Sequence, residues 1–134
     1  MLNSRRAILL ILLAPIVGSL AVRMFDSVYL KRFHTAYSLH AIAFIVFIAP
    51  ILEEIVFRGL FQEILLKVFK RKVVAFVIVN ILFTLLHFHI RSEYQYLLII
   101  FIAGILYSMV CYKYGLTSAI YLHIYYNLIY LVFI

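Results

Sequence analysis

The chain has 134 residues, 68% of them hydrophobic and 13% charged, with a mean hydropathy of +1.16. Soluble domains keep apolar residues near half of the total, so a soluble globule is excluded. The formal net charge of +7 comes from short clusters between apolar segments (Arg5/Arg6, Lys31/Arg32 and Lys67/Lys70/Arg71/Lys72), a placement that speaks for membrane orientation and against nucleic-acid binding.

Residues 7–24 follow a basic pair and run apolar, as a signal peptide does. No clear A-x-A-like site follows them and further apolar segments do, which predicts an uncleaved first span. A bilayer span takes about 20 mostly apolar residues. Residues 38–57, 73–89, 94–112 and 118–134 also fit that requirement. Between the second and third spans, residues 59–72 interleave apolar and polar side chains at helical spacing and end in basic residues. That pattern predicts either a helix lying on the membrane surface or a continuation of the second span. The fold class predicted is an all-α polytopic transmembrane helical bundle of about five spans, because lipid-exposed backbone must satisfy its own hydrogen bonds.

With the N-terminus inside, the inner loops hold Arg5, Arg6, Lys67, Lys70, Arg71, Lys72 and Lys113, and the outer loops hold Arg23, Lys31, Arg32 and Arg91. Seven against four predicts a cytoplasmic N-terminus. The single cysteine, Cys111, excludes an intramolecular disulfide and reads as a buried inert thiol.

Ionisable groups inside a membrane are costly, and they mark functional sites by default. Glu54 and Arg58 stand four residues apart, one above the other on a helix face, and read as an internal ion pair. Glu53 lies about 100° round the helix from Glu54. It has no basic neighbour at helical spacing, so it must look across the bundle to another span. Pro50 precedes it by three residues. If the helix restarts at the proline, Glu53 sits near a helix N-terminus, where a carboxylate is favoured.

The third span carries Asn80, Thr84 and His87 on one polar stripe, and the fifth carries His123 and Asn127 on one face. An acid, two imidazoles and a carboxamide on three spans can all point at one interior site. The fourth span offers Gly104 and Ser108, a small-xxx-small face suited to close helix packing. His34, His40 and His89 read as interfacial residues, and Tyr126 and Tyr130 as interface anchors.

Three motifs stand in order along the chain: "EEIVFR" (Glu53, Glu54, Arg58), "FTLLH" (Phe83, His87) and "HIYYN" (His123, Asn127). Together they resemble the CPBP group of CAAX-type endoproteases and bacteriocin-processing or immunity proteins, also called the Abi family. That family shows E-E-x-x-x-R, F-x-x-x-H and H-x-x-x-N or H-x-x-x-D on successive core helices. The resemblance covers residues 36–134, read as the catalytic helical core, and leaves residues 1–35 as a first span and loop. Family members commonly have more helices, so the chain reads as a minimal version.

The resemblance implies an intramembrane endopeptidase of a bacterial inner membrane, acting on a membrane-associated peptide or protein. Peptide hydrolysis needs an activated water, an oxyanion stabiliser and a proton for the leaving amine. Glu53 suits the base, and His87 holds the same water or the moving proton. His123 and Asn127 suit the oxyanion, while Glu54 and Arg58 support the helix from behind. Asn80, Phe83 and Thr84 line the cleft or back the site. Two histidines and a glutamate would also serve zinc (Glu53, His87, His123). H-E-x-x-H is absent, and the expectation is a metal-independent, glutamate-activated water. Two other classes compete with hydrolysis: a bacteriocin self-immunity protein that works by binding, and a transporter using the same groups as a proton relay.

Overall fold

The computed structural model describes residues 9, 12, 13, 38–88 and 94–133. Every regular element among the described residues is helical. Four helices follow one another: α1 Leu39–Val68, α2 Lys72–His87, α3 Tyr94–Tyr114 and α4 Leu116–Phe133. The span predicted at residues 7–24 lies outside the described residues, apart from three positions within it. Of the predicted spans, α1 and α3 are long and apolar enough to cross a membrane, and α2 is a shorter apolar helix.

Ser38 opens α1, its Oγ accepting from the Ala41 amide at 3.3 Å, as an N-cap does. The helix then runs unbroken for 30 residues, so residues 59–68 continue the second predicted span as helix. The helix runs straight through Pro50 without restarting, so Glu53 gains nothing from a helix N-terminus. A proline ring clashes with the carbonyl four residues earlier in an α-helix, here Val46, and that residue lies in a π-helical stretch, Phe44–Ile48. A second π-helical stretch, Ile55–Gln62, surrounds Arg58. Such stretches concentrate at functional sites. The chain leaves α1 at Phe69, whose backbone is no longer helical.

Between α3 and α4 stands Gly115 at φ +90°, with its amide donating to Cys111 O at 2.8 Å. This left-handed C-terminal position suits glycine, which has no Cβ to clash. It reverses the chain so tightly that α4 begins at the next residue.

The chain divides into two compact units, Ala49–His123 and the combination of Met1–Ile48 with Ile124–Ile134. In the second of these, Asn127 Nδ2 donates to Ile45 O at 2.9 Å. With i to i+5 bonding, Ile45 O would take its hydrogen bond from residue 50, which is a proline without an N–H. Asn127 supplies the donor that the proline cannot.

In the Ala49–His123 unit, Phe57, Val79 and Phe83 form the apolar centre, with Leu65 and Ile100 packed against it. The Phe57 and Phe83 rings meet edge to face at 5.2 Å. Beside this centre lie six buried polar residues: Glu54, Arg58, Gln62, Asn80, Ser108 and His123. Large apolar residues such as Leu52, Leu60, Ile64, Val73, Leu82 and Leu85 are exposed instead. Polar groups inside and apolar groups outside suit a bundle surrounded by lipid.

Candidate active site

Adjacent positions on α1 send Glu53 and Glu54 in different directions, and the two carboxylates do different work. Glu53 is 23% exposed at its side chain, whereas Glu54 is fully buried. Glu53 Oε2 faces His87 Nε2 at 3.9 Å and His123 Nε2 at 3.7 Å. The sequence expectation that Glu53 looks across to other helices is met by α2 and α4.

The other nitrogen of each imidazole is already engaged. His87 Nδ1 lies 2.9 Å from Phe83 O, one turn back on α2. A carbonyl oxygen can only accept, so Nδ1 carries the proton. His123 Nδ1 lies 2.9 Å from Glu54 Oε1, and an ionised carboxylate likewise only accepts. In the neutral ring, both Nε2 atoms therefore turn lone pairs toward Glu53. The tautomer of each histidine is fixed by what its far side touches.

Glu54 is held from the other side by Arg58, with Nε 3.4 Å from Oε2 and both side chains fully buried. Simple neutralisation by Arg58 accounts for one half of Glu54, and the hydrogen bond with His123 accounts for the other. Arg58 is itself committed to two further helices, α2 and α3. Its Nη2 donates to Asn80 Oδ1 at 2.8 Å and to Gly104 O at 3.0 Å, and its guanidinium lies 4.4 Å from the centre of the Phe83 ring. Removing one partner from a buried pair of this kind costs about 3–5 kcal/mol.

Asn80 is fully buried and has no share in lining a cleft: its Nδ2 donates to Phe76 O at 2.7 Å and to Ser108 Oγ at 2.8 Å. It backs the site by holding Arg58. Phe83 does the same, touching Arg58, His87 and His123 with its ring. Thr84 is part-buried on the same stripe of α2. Gly104 and Ser108 do permit a close approach, but the beneficiaries are polar. A Cβ on Gly104 would collide with Asn80 Oδ1 and stand 3.1 Å from Arg58 Nη2.

Two residues escaped the sequence reading. Gln62 is buried and donates to Ser108 O at 3.2 Å, extending the Glu54–Arg58 stripe by one further turn. Continuing the four-residue step from Arg58 would have found it. Tyr107, also buried, stacks on the His123 ring. Asn127 belongs to the other unit, where it serves Ile45 O.

A family model described as Type II CAAX prenyl endopeptidase Rce1-like matches residues 5–129. The chain belongs to the Rce1-like family of type II CAAX prenyl endopeptidases. No curated protein and no solved structure matched the chain. Membership makes the CAAX-protease resemblance of the three motifs a family relationship, and it implies an endopeptidase integral to a membrane, acting on membrane-associated protein.

Whether the Rce1-like site suits zinc can be judged from its donors. Ligands of a tetrahedral zinc at about 2.0–2.1 Å stand roughly 3.3 Å from each other. Glu53 Oε2 is 3.9 Å from His87 Nε2 and 3.7 Å from His123 Nε2, wider than that on both sides. Among the described residues no group of three or more His, Cys, Asp or Glu is arranged to hold an ion.

Proposed function

We propose that this Rce1-like chain hydrolyses a peptide bond of a membrane-associated substrate with a water activated by Glu53. The observation that carries this reading is the convergence of Glu53 Oε2 with two imidazole Nε2 atoms at 3.9 and 3.7 Å. These separations exceed a direct hydrogen bond and suit a bridging water that donates one proton to Glu53 Oε2 and the other to one of the two Nε2 atoms.

Glu53 takes the proton of the attacking water, and its partial exposure gives that water a way in. His87 Nε2 accepts a hydrogen bond from the remaining O–H, so the lone pair of the hydroxide is left to attack the scissile carbonyl. His123 is backed at Nδ1 by Glu54. The proton taken by Glu53 passes to His123 Nε2 and makes an imidazolium paired with the Glu54 carboxylate, the arrangement that histidine adopts when a buried acid holds it. From there Nε2 donates to the oxyanion, or returns the proton to the leaving amine. The H-x-x-x-N motif of the family gives Asn127 the oxyanion role.

No metal is needed for these steps, and the spacing of the donors supports doing without one. The residues 36–134 make up the catalytic core in this reading. The substrate is a prenylated C-terminal peptide, as the family name suggests, or another membrane-anchored precursor. The N-terminus faces the cytoplasm of a bacterial inner membrane, by the balance of basic residues.

The test is cleavage of a membrane-anchored peptide panel by the purified chain in proteoliposomes, before and after exhaustive chelation. Cleavage that survives chelation is expected. Loss restored by zinc would overturn metal independence. Protection against a bacteriocin that persists in Glu53→Ala would favour immunity by binding over hydrolysis.

A further inference from the structure

The helix that the motifs pass over, α3, supplies a residue to His123. Tyr107 is 3% exposed, and its ring is stacked on the His123 imidazole at 4.6 Å between centres and 21° between planes. Phe83 meets the same imidazole edge to face at 5.9 Å and 76°. The histidine is thus held on its face by one aromatic ring and at an angle by another, with Nδ1 tied to Glu54.

We propose that Tyr107 is a positioning residue for the hydrolytic reaction, holding the His123 imidazole so that Nε2 stays aimed at Glu53. The inference rests on the proposed reading of the site. One hydrogen bond at Nδ1 fixes one edge of the ring and leaves the plane free to tilt about it. A ring stacked at 4.6 Å and 21° restricts that tilt, in the offset-stacked geometry that aromatic pairs favour. The lever is long: Nε2 lies on the far side of the ring from the anchored Nδ1, so a small tilt moves Nε2 most. Misplacing a reacting group by about 1 Å can cost about a hundredfold in rate.

The delivery of Tyr107 also has a visible cause. Gly104, one turn earlier on α3, has no Cβ, and its carbonyl takes the Arg58 Nη2 hydrogen bond at 3.0 Å. Ser108, next to Tyr107, binds Asn80 and Gln62. These bonds pin α3 to α1 and α2 on either side of Tyr107. The Arg58 guanidinium lies 5.5 Å from the Tyr107 ring, so the ring also covers the ion pair behind His123.

The experiment compares Tyr107→Phe and Tyr107→Leu with the wild-type protein in proteoliposomes. It measures kcat and KM separately, along with ¹⁵N imidazole signals of His123 without substrate. Tyr107→Phe keeps the ring and is expected within about twofold of wild type in both constants. Tyr107→Leu removes it, and kcat is expected to fall about tenfold to a hundredfold with KM unchanged. The ¹⁵N signals of Tyr107→Leu should show the Nδ1–H tautomer giving way to a mixture.

Three results would overturn the inference: full kcat in Tyr107→Leu, equal loss in Tyr107→Phe, or a loss that only tracks the folded fraction while the His123 signals stay put. Glu53→Gln, run beside them, separates this inference from the reading beneath it. An active Glu53→Gln sinks the glutamate mechanism. An inactive Glu53→Gln with a fully active Tyr107→Leu sinks the positioning role and leaves the mechanism standing.

Discussion

His123 Nδ1 and Glu54 Oε1 are 2.9 Å apart, although the two residues are 69 positions apart in the chain. That bond turns the second glutamate of the E-E pair into the partner of an imidazole whose other nitrogen faces Glu53. Glu54→Gln retains a side-chain oxygen at this place and removes the charge. Its kcat should fall about tenfold or more with KM little changed, because the imidazolium loses its paired carboxylate. Steady-state kinetics on a cleaved peptide check this. An unchanged kcat would return Glu54 to being a counter-charge for Arg58 and nothing else.

The two glycines of the Ala49–His123 unit's helices should respond unequally to the same substitution. Gly104→Ala drives a Cβ into Asn80 Oδ1 and close to Arg58 Nη2, in a network with no spare room. Overpacking of this kind costs about 1–3 kcal/mol. At Gly59 the added Cβ would meet the end of the Leu116 side chain at 3.3 Å, which can turn away. Gly59→Ala should stay within about 1 kcal/mol of wild type, since alanine also lowers the entropy cost of helix. Reversible unfolding in detergent or bilayers measures both. Similar losses at both sites would contradict the placement of Arg58 and Asn80 beside Gly104.

Asn127 has a structural duty that can be separated from a chemical one. Pro50 denies Ile45 O an amide donor, and Asn127 Nδ2 fills in at 2.9 Å. If that duty were the whole of its role, Pro50→Ala would rescue Asn127→Ala in a double-mutant cycle. The oxyanion assignment predicts that stability is rescued in part while cleavage stays at least tenfold down, on the order of a lost oxyanion donor. Recovery of activity in step with stability would make Asn127 a backbone cap.

How much of this was legible in the sequence depends on whether a partner lies on the same helix. The pairing of Glu54 with Arg58 follows from a four-residue step, and it is present. The stripe on α2 places His87 one turn from Phe83, and both face the site. Glu53 could be sent across the bundle because α1 offered it no partner. The Glu54–His123 bond, the Arg58–Gly104 bond and the Tyr107 stack each join helices far apart in sequence, and spacing along one helix contains no trace of them. The continuity of α1 through Pro50 was also illegible. A proline signals a break, and the π-helical stretch that precedes it leaves no mark in residue types.

Topology offers an independent check. Lys72 Nζ stands 4.3 Å from the centre of the Tyr112 ring, next to Lys113, so the start of α2 and the end of α3 share one end of their unit. In a Cys111→Ser background, cysteines placed at Lys72 and Lys113 should both react with an impermeant maleimide from the cytoplasmic side of sealed vesicles. Labelling of the two from opposite sides would contradict the antiparallel packing of α2 and α3. Labelling of both from outside would reverse the assigned orientation.

The most direct measurement of the central claim is kcat for Glu53→Gln in proteoliposomes, with membrane insertion and thermal stability measured on the same preparation. Loss of a general base costs about a hundredfold or more. A loss of at least that size is expected, with insertion and stability close to wild type, because Glu53 is part-exposed and both imidazoles that it faces keep their Nδ1 hydrogen bonds. Cleavage at near wild-type rate by Glu53→Gln would contradict it.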